Sequence, residues 1–161
     1  MTQPLFRAFK QQLKGVLEKV RDNTSELTPT PLLFKNVYFE YPLARDYAAM
    51  KLPIATIWGD ERSFTGSGNR AEKTTVETSI YIYFHEADYS KADEKMDYYT
   101  RDVISEIHKS INSWPLLVSV QVTGSSIAEV FKRLGMTDVT IDPPYYGIRV
   151  DLTVEMGTAY T

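Results

Sequence analysis

TTVETSIYIYFHE, residues 74–86, alternates without a break. Val76, Thr78, Ile80, Ile82 and Phe84 fall on one side, and Thr75, Glu77, Ser79, Tyr81, Tyr83 and His85 on the other. That is the period-2 pattern of a strand with one face on a core. Upstream, LPIATIW at 52–58 is a short apolar strand opened by Pro53. The polar stretch 59–73 lies between them, with Gly66-Ser67-Gly68-Asn69 in its middle. The two segments therefore predict a β-hairpin with its tip near Gly68. Its expected register sets Ile54 opposite Ile82 and Thr56 opposite Ile80. The second strand is much the longer, so the hairpin should project from the body as an arm.

Helical spacing flanks this hairpin on both sides. Leu5, Phe6, Phe9, Leu13, Val16, Leu17 and Val20 form one stripe of a helix over residues 4–21. Arg7, Lys10, Lys14, Lys19 and Arg21 face only Glu18, so this helix is basic. Asp22 to Ser25 and then Pro29 and Pro31 end it, and Leu32 to Tyr41 has the β-branched and aromatic content of a strand. Beyond the hairpin, Ala92, Met96, Tyr99, Val103, Ile107 and Ile111 mark a helix over residues 90–114. Its other side is acidic, with Asp93, Glu94, Asp97, Asp102 and Glu106. Asp97 and Arg101 stand four apart, an exposed pair contributing ~0.3 kcal/mol.

Leu116, Val118, Val120 and Val122 alternate as a strand up to Gly124, and Ser126 with Glu129 forms a capping-box pattern for a short helix through Leu134. A last strand alternates Ile148, Val150, Leu152, Val154 and Met156 with Arg149, Asp151, Thr153 and Glu155. The order is α-β-β-β-α-β-(α)-β. Strands with one apolar face predict an antiparallel sheet with helices packed on one side, an α+β fold in a single domain over 1–161.

Composition narrows the function. The 161 residues are 43% hydrophobic, 12% aromatic and 24% charged, which is a globular profile. With no cysteine, disulfides, thiolate metal sites and thiol catalysis are excluded. A net charge of -3 argues against nucleic acid as the main partner. No apolar run approaches the ~20 residues of a membrane span, and the N-terminus lacks a signal-peptide core.

Motifs for chemistry are equally sparse. His85 and His108 have no second ligand at metal spacing, so both read as surface or boundary residues. The Gly66 to Gly68 run leads into a strand, whereas a phosphate loop leads into a helix. Glu86, Asp88, Asp93, Glu94 and Asp97 lack calcium-loop spacing and read as a solvated face. Ser125 and Ser126 lack a nucleophile elbow. The expectation is a chain without catalytic residues, cofactor or metal.

Eleven tyrosines are many for this length. Tyr81, Tyr83 and Tyr145 share the face opposite the core stripe. They fit either an open sheet face half-covered by amphipathic rings or a protein–protein surface. The basic first helix and acidic long helix would let neighbouring copies meet head to tail, through Lys10 and Lys14 on one side and Asp93 and Asp97 on the other. Asp60, Glu61, Arg62, Arg70 and Lys73 on the arm suit charge pairing with a neighbour, and Gly157 to Thr161 is a second segment able to reach out.

Taken in order, the N-terminal amphipathic helix, LPIATIWG, the polar hairpin loop, TSIYIYFHEAD, YSKADEKMDYYTRDVISEIHKSI and IRVDLTVEM resemble the tail terminator, or tail completion, proteins of long-tailed bacteriophages. The match lies in order and spacing over nearly the whole chain, and Ile127 to Ile141 departs from it. The resemblance implies a ring, usually a hexamer, at the head-proximal end of the virion tail, assembled in the host cytoplasm. Such a ring stops tube polymerisation and offers the surface for head joining. Its implied partners are further copies of itself, the tail tube protein, a neck or head-completion protein and, in a contractile tail, the sheath. DNA only passes through the ring, and no membrane is involved. Another neck connector, or a small ferredoxin-like α+β enzyme or ligand-binding module, fits the same elements.

Overall fold

A computed structural model describes residues 5–39, 52–66, 71–111, 117–123 and 145–159. The element order is α1 (Leu5–Leu17), β1 (Asn36–Tyr38), β2 (Ile54–Gly66), β3 (Ala71–His85), α2 (Tyr89–Ile111), β4 (Leu117–Thr123) and β5 (Tyr145–Ala159). This is the expected α+β order. The short helix expected at 126–134 lies outside the described residues.

Five strands form one sheet in the order β1-β2-β3-β5-β4. Every pairing is antiparallel except β1 with β2, which is parallel. Residues 39–53 separate those two strands, which is length enough for the return that a parallel neighbour requires. The central β3 is paired along its whole length with β5, from Ala71 opposite Ala159 to His85 opposite Tyr145.

Both helices lie on one face. α1 packs over β1 and β2, α2 over β5 and β4, and the two helices touch each other. The core between helices and sheet holds Phe9, Leu13, Val16, Leu17 and Val20 from the α1 region. Ala92, Tyr99, Val103 and Ile107 come from α2, and Ala55, Ile57, Ile80, Ile82, Phe84, Ile148, Val150 and Leu152 from the sheet. Each fully buried Leu, Ile, Val or Phe contributes roughly 1.5–3 kcal/mol of transfer free energy, which fixes the helices against the sheet. Asp88 caps α2: its carboxylate accepts the Ser90 N–H at 3.0 Å, and its carbonyl accepts the Ala92 N–H at 2.9 Å.

The hairpin register is shifted by one residue from expectation. Ala55 stands opposite Ile82 and Ile57 opposite Ile80, on the helix-covered face. Ile54 and Thr56 are opposite Tyr83 and Tyr81, on the other face. With side chains alternating, a one-residue slip exchanges the faces of a whole strand. β2 carries Ile at both 54 and 57, so its own pattern could not choose.

Candidate functional site

The β2–β3 hairpin is long and continues the sheet from the helix-packed residues to its turn. From Gly59 to Gly66, β2 extends about 24 Å at ~3.4 Å per residue, paired with β3 down to Gly66 opposite Glu72. Among the described residues only the tip is three-stranded: β4 accompanies β5 as far as Leu117 opposite Met156, level with Thr74 and Phe64, and beyond it β5 follows β3 to Lys73 opposite Gly157 and Ala71 opposite Ala159. Gly157 to Ala159, expected to reach out, is therefore part of the sheet. Asp60 sits at a bulge between Gly59 and Glu61. Glu61 is opposite Glu77, Arg62 opposite Val76, and Lys73 opposite Thr65. Arg70 and the turn at 67–70 lie outside the described residues, as do Ser125 and Ser126.

The second face of the sheet holds the tyrosines. Tyr81 is 0% and Tyr83 3% exposed within the single chain. The expectation of an open or docking face at these two rings is corrected: the chain itself covers them. Around Tyr81 the face is polar. The Ser79 hydroxyl donates to Asp151 Oδ1 at 2.7 Å, and Arg149 Nε donates to the same oxygen at 2.7 Å. The Arg149 guanidinium stands 5.7 Å from the Tyr81 ring centroid. Ser79 pairs with Asp151, and Tyr81 with Arg149, across the β3–β5 ladder. The network thus ties the register of the two central strands through charge-assisted bonds. Alternation identified the face from the sequence, but nothing in it announced that the face would be buried.

At the opposite end of β3 from the arm, two clefts flank one ion pair. Lys95 Nζ lies 2.6 Å from Glu86 Oε2. A cleft of about 540 Å³ is lined by Asp22, Lys35, Leu52, Pro53, Phe84, His85, Lys95 and Tyr99. Its neighbour, of about 590 Å³, is lined by residues 23–26 with Glu86, Lys91, Glu94, Lys95 and Tyr98. The hydrogen bond from Lys95 holds the Glu86 carboxyl below its ordinary range, aided by the Asp88 N–H. Burial pushes the Lys95 ammonium down, but the Glu86 hydrogen bond and the nearby Tyr99, Glu86 and Asp22 outweigh it, so its pKa is raised. Burial, then Asp22, raises the Tyr99 phenol. Asp22 in turn accepts the Thr24 N–H at 3.0 Å and its hydroxyl at 2.5 Å. These clefts were not foreseen, since Asp22, Lys35 and Lys95 lie far apart in sequence.

A pH effect follows from Glu86. Its folded pKa is lowered, so its contribution is complete above the unfolded value of about 4.5 and is lost as pH falls through the folded one. Glu86→Gln should flatten the acid limb of stability below pH 4.5 by less than about 1 kcal/mol, the scale of a partly exposed pair. Urea unfolding at pH 7 and pH 3 measures it; an unchanged difference between the two would refute the pairing's role.

The charged helix residues are also placed. Lys10 Nζ and Lys14 Nζ stand 5.5 and 5.0 Å from the Phe39 ring centroid, and Lys14 lies 3.8 Å from Glu18. Asp93 and Asp97 are exposed. The expected Asp97–Arg101 pair does not form: the Arg101 guanidinium lies 4.9 Å from the Tyr98 ring centroid instead. His85 and His108 are both exposed. Among the described residues no three His, Asp or Glu side chains come together to hold a metal, and no helix is long and apolar enough to cross a membrane. No model of a known protein family matches the chain, and no curated protein matches it in sequence.

Proposed function

We propose that this chain is a structural subunit of the tail terminator type, forming a ring that caps the head-proximal end of a phage tail tube, stops its growth and receives the head. The resemblance in element order motivates the reading. The observation that carries it is the long β2–β3 hairpin, whose tip runs with β5 past the last pairing of β4, Leu117 opposite Met156. It places Asp60, Glu61, Arg62 and Lys73 along its strands. Glu61 directly opposite Glu77 is an unfavourable cross-strand pair within the subunit. A cation supplied by a neighbouring subunit or by the tube end would relieve it.

Electron microscopy of tails assembled with and without the protein tests this reading. Omission should give tails of abnormal length that fail to join heads. Tails of normal length that still attach would overturn it.

The second reading, a ligand-binding module, is favoured by one observation: the cleft of about 540 Å³ that gathers Asp22, Lys35, His85, Lys95 and Tyr99 with the apolar Leu52, Pro53 and Phe84. Saturable binding of a small ligand that shifts the Tyr99 ring resonances would support it.

A further inference from the structure

The two helices form a single layer whose lateral borders carry opposite charge. α1 covers the β1–β2 side of the sheet and α2 the β5–β4 side. At the β1 border, Lys10 and Lys14 stand over Phe39, the residue that follows β1, the outermost strand on that side. Lys35, just before β1, is exposed there as well. On α2, Lys91, Lys95 and Tyr98 line the cleft shared with residues 23–26 and so mark the flank turned toward the end of α1. At ~100° per residue, Asp93 and Asp97 fall on the flank turned away from it, toward the β4 border. Both are exposed, and neither forms an ion pair or hydrogen bond among the described residues.

The geometry points to a heterologous contact between two copies of this chain, in which the Lys10/Lys14 border of one meets the Asp93/Asp97 border of the next. This rests on the ring reading and names the surface that would close the ring. Two different patches on opposite sides of one molecule generate a ring or a filament, whereas a self-complementary patch stops at a dimer. Complementary borders also exclude the wrong registers: acid against acid or base against base places like charges together. The contact is screened by salt, so assembly should weaken between 50 and 500 mM NaCl.

Charge reversal tests the contact in the full chain. Lys10→Glu with Lys14→Glu, and separately Asp93→Lys with Asp97→Lys, should each weaken assembly on the order of 100-fold, read by light-scattering mass across a concentration series. The four substitutions combined in one chain, or the two double variants mixed, should restore it. Circular dichroism and thermal melting separate this outcome from unfolding, since all four positions lie outside the core. The chain has no native cysteine, so Lys14→Cys and Asp97→Cys supply a second readout. A disulfide should form between the two variants when mixed and not within either alone. If the wild type assembles and the reversals leave its mass unchanged, this interface is wrong while the ring reading stands. If the wild type stays monomeric at all concentrations and no mixed disulfide forms, both fail.

Discussion

Phe84→Ala should destabilise the protein by about 3–5 kcal/mol, the range for deleting a buried aromatic ring from a core. Phe84 is 1% exposed. Its ring meets Tyr99 of α2 edge-to-face at 5.2 Å and 84°, and stacks on Tyr146 of β5 at 5.4 Å and 21°. One side chain of β3 thus docks a helix and a neighbouring strand together, and the ring pairs add to its burial. Domains are stable by only ~5–15 kcal/mol, so the loss is a large part of the total. For a chain of this length it corresponds to a melting temperature lower by about 10 °C. Urea denaturation at pH 7 measures the change. A loss under ~1 kcal/mol would show that the α2–sheet contact is not organised around this ring. Because Tyr99 and Phe84 both line the 540 Å³ cleft, the same variant should loosen the cleft before the sheet.

The second large effect belongs to the other face. Asp151→Ala removes the oxygen that accepts from both Ser79 and Arg149. Ser79 is 3% exposed and the Arg149 side chain about one fifth exposed. Each therefore loses a partner that water replaces only in part. The expected cost is about 1–3 kcal/mol, below that of a fully buried pair because the Asp151 side chain is itself about one third exposed. Ser79→Ala alone should cost about 1 kcal/mol. The double variant should cost less than the sum, with a coupling of about 0.5 kcal/mol or more, since both side chains act through one hydrogen bond. Strict additivity would mean that the network does not hold the β3–β5 register.

Most elements were legible in the chain because their apolar residues repeat with a single period. Residues 74–86 have one period-2 reading, and Ile80, Ile82 and Phe84 are all buried on the helix side. The four-residue spacing of Tyr99, Val103 and Ile107 likewise left one possible face for α2. Phe9, Leu13, Val16 and Leu17 did the same for α1.

What failed to be legible has a common cause. β2 is apolar on both faces, so its pairing register was undetermined by pattern, and the central ladder chose the one that sets Ala55 and Ile57 under the helices. The direction of β1 depended on where the connection 39–53 returns the chain, which no local residue specifies. Tyr81 and Tyr83 suit a half-wet sheet face as well as an interior one, because a phenol has both an apolar body and a polar tip. Only the fold, by covering that face, made them core residues. The candidate sites depend on tertiary structure still more. Asp22, Glu86 and Lys95 become neighbours when α2 packs beside the end of α1, and Ser79 meets Asp151 only across the paired strands. Amphipathic period is a local property, so the sequence by itself determined which segments are helix and strand and which of their faces is apolar. Register, strand direction and the burial of polar groups are set by which distant segments come to lie side by side, and those the tertiary structure decided.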